Sequence, residues 1–178
     1  MYSPHRSLVT LGDPRLRWRA QPIATIDDPS LQALIEQLLA TVQTASGVGI
    51  AAPQMGWSIR LLVVASRPNL RYPNAPVMTP TVVINPQILS LSDEVEKGWE
   101  GCLSVPGVRG NVPRHQQVEV AYTDRFGQSQ RQVWQGFVAR IFQHEYDHLE
   151  GKVFLDRVEQ ETDLLAEAAY QAMVIESL

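Results

Sequence analysis

The sequence predicts an α+β fold: mainly antiparallel sheets around a central helix carrying a His-Glu-x-x-His motif, with further helices toward the N- and C-terminal ends. Three observations carry this expectation. Apolar residues recur at helical spacing early in the chain, again around residues 137–148, and again near its end. Short runs rich in β-branched residues crowd the middle. Strands and helices are segregated along the chain, whereas a doubly wound parallel sheet would alternate them.

Composition narrows the class. The 178 residues are 44% hydrophobic and 19% charged, which suits a soluble globular protein able to bury a core. No internal repeat or low-complexity break divides the chain, so residues 1–178 read as a single domain. The net charge is -4, and Lys and Arg are scattered, so no basic patch points to nucleic acid or an anionic membrane. Cys102 is the sole cysteine, which excludes an intrachain disulfide and suits a reducing compartment. Residues 1–6 lead into no apolar block of the secretory kind. The longest apolar run, Leu61-Leu62-Val63-Val64-Ala65, has a strand's length and not a membrane span's. A cytoplasmic location is expected.

Taken in order, Gly12-Asp13-Pro14 reads as a turn. Asp28 before Pro29 then supplies a cap and a first-turn proline, and Leu31, Leu34, Ile35, Leu38, Leu39 and Val42 form the apolar stripe of an amphipathic helix. That helix should run for about four turns at 3.6 residues each. It stops near Ser46, where Gly47-Val48-Gly49-Ile50-Ala51-Ala52-Pro53-Gln54 replaces large side chains with small ones. Such a backbone admits close approach. It lacks the further glycines or the Gly-Lys-Ser/Thr ending of a nucleotide loop. The Gln54 amide can reach into whatever cleft these residues line.

Residues 59–65 and 80–84 read as strands, the second ended by Asn85-Pro86, with a Pro- and Asn-rich loop around 68–76 between them. Residues 118–122 alternate as a strand does, and Asp124-Arg125-Phe126-Gly127 turns the chain into another at 130–134. Trp99-Glu100-Gly101-Cys102-Leu103-Ser104-Val105-Pro106-Gly107 lies among these strands, and its glycines place the sulfur away from the centre of a regular strand. A helix follows Gly136, with Phe137, Val138, Ile141 and Phe142 as its apolar side. Residues 161–178 are helix-forming, with Leu164, Leu165, Ala168, Ala169, Ala172 and Met173 as a stripe that packs on the sheet or meets a partner.

The chemistry centres on the helix after Gly136. His144 and His148 are one turn apart on one face and can grip one metal ion, with Glu145 beside them to handle protons. A structural His pair is the plainer reading. The adjoining carboxylate and apolar approach favour metal, because buried imidazoles and carboxylates are costly without partners. His5 and His115 lack such a context and read as surface residues. Two histidines leave an open catalytic site one ligand short, and Cys102 can fill the place. Its thiolate favours zinc, ferrous iron or similar ions over magnesium or calcium. A buried inert cysteine and a nucleophilic Cys-His pair stand beside that reading.

Residues 47–54, 100–104 and 143–151 together resemble, in order and approximate spacing, the three motifs of the peptide deformylases. The resemblance covers residues 47–151 of what would be a single catalytic domain. It implies a metallohydrolase that removes the formyl group from the N-terminal formylmethionine of newly made polypeptides and releases formate. It implies Cys102, His144 and His148 as ligands of one divalent ion per chain, ferrous iron first, with zinc or nickel able to replace it. Glu145 would be the general base, and Gln54 and the Leu103 N–H the oxyanion donors. Gly49 would run along the substrate backbone, and Val48, Phe137 and Ile141 are our candidates for the methionine pocket. Arg109 and Glu100 are assigned first to structural ion pairs, with substrate positioning as the alternative, and Arg140 either stacks on the pocket rim or forms a structural ion pair. The implied partners are N-formylmethionyl nascent peptides and, transiently, the ribosome, although the acidic terminal segment contrasts with a surface suited to RNA. A metallopeptidase cleaving internal amides and a non-catalytic metal-stabilised interaction domain are the competing readings.

Overall fold

The Asp28-Pro29 signal starts a helix in the computed structural model, which describes residues 7–176. The Asp28 carboxylate accepts from the Ser30 N–H at 2.8 Å, and α1 (Pro29–Thr44) follows. Leu31, Leu34, Ile35, Leu38 and Val42 face inward, while Leu39 is only partly buried.

The small-residue segment forms a short strand, β1 (Gly49–Ala51), and a 3-10 turn over Ala52–Met55. β2 (Leu61–Val64) and β3 (Thr81–Leu91) come next, then a hairpin of β4 (Val95–Cys102) and β5 (Val105–His115). β6 (Gln117–Thr123) and β7 (Ser129–Gln135) lead into α2 (Gly136–Leu149), and the chain closes with β8 (Leu164–Ala166) and α3 (Glu167–Glu176). All ladders between these strands are antiparallel, in two sheets ordered β1-β2-β3-β6-β7 and β4-β5-β8.

The unbroken apolar run of β2 has a simple cause. Leu61 and Val63 pack with α1, and Leu62 and Val64 pack on the opposite face with Ala139, Phe142 and Leu149 of α2. A strand covered on both faces has no polar side to alternate with. α2 therefore lies against one face of the five-stranded sheet and also touches β5 of the other sheet.

Four expectations change. β3 does not end at Asn85-Pro86: the ladder shifts register there, Asn85 takes φ of 51°, and its side chain bonds both the N–H and the carbonyl of Ile23. The β4–β5 hairpin was hidden by Gly98, Gly101, Gly110 and Pro113, residues that count against a strand when read locally. The terminal stripe does not exist as one helix, because Leu164 and Leu165 join β8 while Ala168, Ala169, Ala172 and Met173 are exposed, and Tyr170 is the buried side chain of α3. His115 is half-buried, with Nδ1 donating to the Ser92 carbonyl at 2.6 Å; His5 lies outside the described residues. Among the described residues, no helix is long and apolar enough to cross a membrane.

Candidate metal centre

α2 presents its motif from a buried stretch: Gln143, His144, Glu145, Asp147 and His148 are all buried. The two imidazoles stand edge to face with centroids 5.2 Å apart, as residues one turn apart should. Cys102 arrives from the other sheet. It ends β4 just past a register shift between Glu100 and Cys102, and its Sγ lies 3.3 Å from His148 Nε2. One ligand atom each from Cys102, His144 and His148 lie within 4.8 Å of one another.

This donor set fits a divalent cation. One thiolate and two imidazoles leave a fourth position open, the composition of a catalytic site for zinc or a similar ion. Glu145 adds a second sign of fit: its Oε2 is buried and has no hydrogen-bond partner, a costly state for a carboxylate unless the site brings it one.

The electrostatics agree. Burial disfavours the Cys102 thiolate, yet the charge on His148 and hydrogen bonds from both imidazoles outweigh it and bring the thiol down to about 5. Burial would also strip His144 of its proton, but hydrogen bonds to Cys102 and Glu100 raise it well above the ordinary imidazole value. Protons and a cation thus compete for the same donors, so metal uptake releases protons. Burial pushes Glu145 up to about 7, against the pull of the two imidazoles.

Glu100 has a larger part than the sequence suggested. Its Oε2 accepts from His144 Nδ1 at 2.9 Å, which leaves Nε2 as the nitrogen able to coordinate a metal. Arg114 grips both carboxylate oxygens at 2.9 and 3.0 Å, and Arg140 adds a donor to Oε1 at 3.1 Å. Burial opposes the Glu100 charge, but Arg114 foremost, and His144 with it, hold the carboxyl far below the usual range. Asp147, inside the motif, receives Arg114 Nη1 and Arg157 Nη2, each at 2.6 Å. Sequence reading missed Arg114 and Asp147. Asp147 could have been found, since a carboxylate inside the His-Glu-x-x-His motif must face something; Arg114 has no local signal.

Gln54 sits in the 3-10 turn over Ala52–Met55. Its Oε1 accepts from Ala51 N–H at 2.8 Å, which directs Nε2 toward Cys102 Sγ and Ser104 Oγ, both at 3.4 Å. Leu103, Val48, Phe137 and Ile141 line the same cleft as Cys102, His144 and Glu145. Gly49 has a close-packing reason of its own: a Cβ there would lie 2.7 Å from Glu145 Oε1 and 2.8 Å from Ile141 Cγ2.

Tyr72 was missed because it comes from the long loop before β3. Its ring lies 4.9 Å from Phe137, and its hydroxyl accepts from Arg109 Nη1 at 2.7 Å and Gly101 N–H at 3.3 Å. Arg109 also pairs with Glu167 of α3 at 2.6 Å, so it is an ion-pair residue that lines the cleft. Of the two roles open to Arg140, the structure has the ion pair, with Glu100 at 3.1 Å.

The chain matches the family model for polypeptide deformylase over residues 5–163. Peptide deformylase 2 of Nostoc sp. is 56% identical over 167 residues, which is 94% of this chain and 93% of that relative. The Met-Ala-Ser-bound crystal structure of a class I type b peptide deformylase from Acinetobacter baumannii superposes with a TM-score of 0.84 at 44% identity, covering 86% of this chain and 98% of that one. An actinonin complex of a peptide deformylase from Synechococcus elongatus gives 0.79 at 38% identity, covering 99% and 87%.

Proposed function

Because the chain belongs to the peptide deformylase family, hydrolases that remove N-terminal formyl groups from nascent peptides, we propose that Cys102, His144 and His148 hold its one divalent ion and that Glu145 moves the protons of the reaction. The convergence of those three donors beside a buried, partnerless carboxylate is the observation that carries this reading. The substrate is the formylmethionyl end of a newly made polypeptide in the cytoplasm. Ferrous iron is the ion we assign on the family resemblance, with zinc or nickel as substitutes, and the thiolate donor suits such ions better than magnesium or calcium. When bound, such an ion polarises a carbonyl and lowers the pKa of a water molecule.

The chain's own residues supply the rest. Glu145 takes the proton of the attacking water on a carboxylate oxygen and delivers it to the methionyl nitrogen as the C–N bond breaks, so formate and a free amine leave. Gln54 Nε2 and the Leu103 N–H donate to the oxygen that becomes negative. The fixed orientation of the Gln54 amide supports that role. Among the described residues β1 is the end strand of its sheet, paired with β2, and its other edge suits an added peptide strand around Gly49. Val48, Phe137 and Ile141 receive the methionine side chain. Residues 1–178 act as one catalytic domain, since the ligands come from β4 and α2 together.

The test is formate release from formyl-Met-Ala-Ser by anaerobically purified protein, alongside metal analysis and a casein-cleavage assay. Glu145→Gln should keep its metal and lose formate release; undiminished turnover removes Glu145 from the mechanism. Casein cleavage without deformylation would move the assignment to a metallopeptidase.

A further inference from the structure

β4 carries glycines on both sides of Glu100, and one of them makes room for a side chain from α2. A Cβ on Gly98 would lie 2.7 Å from Arg140 Cζ. Arg140, only 9% exposed, spends its guanidinium on four acceptors. Nη1 donates to the carbonyls of Gly98 at 3.2 Å and Val112 at 2.7 Å and to Glu100 Oε1 at 3.1 Å; Nη2 donates to the Glu96 carbonyl at 2.6 Å. One side chain therefore ties α2 to both strands of the β4–β5 hairpin.

The proposed ligands are divided between those same elements. His144 and His148 ride on α2, and Cys102 ends β4. No ladder hydrogen bond joins a helix to a strand, so side chains must set the gap between them. Arg140 stands one helical turn before His144 and shares Glu100 with it. Its planar fork suits simultaneous contact with a carboxylate and several carbonyls, which a lysine cannot reproduce.

We propose that Arg140 is a positioning residue for the metal centre: seated against Gly98, it sets the spacing between the helix bearing His144 and His148 and the strand bearing Cys102, and it steadies Glu100 against His144 Nδ1. This rests on the reading of the three residues as ligands. Arg140 itself touches neither the ion nor the reacting atoms in this scheme.

The experiment compares full-length wild type, Arg140→Met, Arg140→Lys, Gly98→Ala and the Gly98→Ala/Arg140→Met double variant. Each is loaded with Co2+, and the absorption spectrum, chelator-competition affinity, thermal midpoint, kcat and KM are measured. Arg140→Met should weaken Co2+ binding roughly 10–100-fold, the usual effect of losing support behind a ligand, alter the d–d bands and lower kcat with KM unchanged. Arg140→Lys should fall between. Gly98→Ala should destabilise the wild type by displacing the guanidinium, but raise the thermal midpoint of Arg140→Met by filling the space left behind. The double variant should thus regain stability without regaining affinity or spectrum. Recovery of both together, or a wild-type spectrum and affinity in Arg140→Met, would reduce Arg140 to a packing residue and overturn the proposal. If Arg140→Met does not fold, wild-type spectrum and affinity in Arg140→Lys do the same. A wild-type protein that shows no thiolate-to-cobalt band fails the ligand reading itself, a result distinct from these.

Discussion

Glu100 accepts the Nδ1 proton of His144 at 2.9 Å while Arg114 holds both of its oxygens, so a strand residue determines which nitrogen a helix residue can offer to a metal. The pairing places the orientation of the His144 imidazole outside its own helix, in a buried ion network that continues through Arg114 to Asp147.

Glu100→Gln should test that dependence. The amide removes the charge that opposes Arg114 and Arg140 and weakens the bond to His144. We expect metal affinity to fall roughly 10–100-fold by chelator competition. Leaving two buried guanidinium groups short of their counter-charge should also cost about 3–5 kcal/mol in urea unfolding. A variant with wild-type affinity would show that His144 needs no such support.

Cys102→Ser replaces a thiol already poised to ionise near 5 with a hydroxyl that does not ionise in the working range. The variant should lose the thiolate-to-cobalt band and bind iron and zinc more weakly. An unchanged band and metal content would sink Cys102 as a ligand.

The pH dependence follows from Glu145. As a base it must be deprotonated, burial raises it to about 7, and a cation nearby can only lower it. The acid limb of kcat/KM should therefore rise with pH and have its midpoint at or below about 7. A midpoint well above neutrality would mean that another group controls the limb.

Gly49→Ala should fail at the reaction and not at metal binding. The new methyl would press first on the Glu145 carboxylate and Ile141, the atoms nearest to it. We expect stoichiometric metal with kcat reduced by at least tenfold, about 1.4 kcal/mol on the barrier. Full activity would show that the carboxylate has room to move.

Much of this protein was legible in one dimension. Asp28 and the spacing from Leu31 to Val42 determined α1, and Leu61-Leu62-Val63-Val64 determined a strand buried on both faces. The His144, Glu145 and His148 spacing determined two imidazoles one turn apart on a helix with a carboxylate beside them. Each of these signals lies within a few residues of chain, the range over which backbone period and capping act. Where long-range contacts outweighed local preference, the reading failed. Leu164 and Leu165 left the expected helix because β5 offered a ladder, and the β4–β5 hairpin kept Gly98 and Gly101 because two arginines occupy the space beside them. The placement of Cys102 against His148, 46 residues apart, and of Glu100 against His144, 44 apart, was decided only when β4 packed on α2. Periodicity can show which face of an element is apolar, but the distance between two elements depends on the side chains buried between them, and here Arg114 and Arg140 lie between α2 and the β4–β5 hairpin.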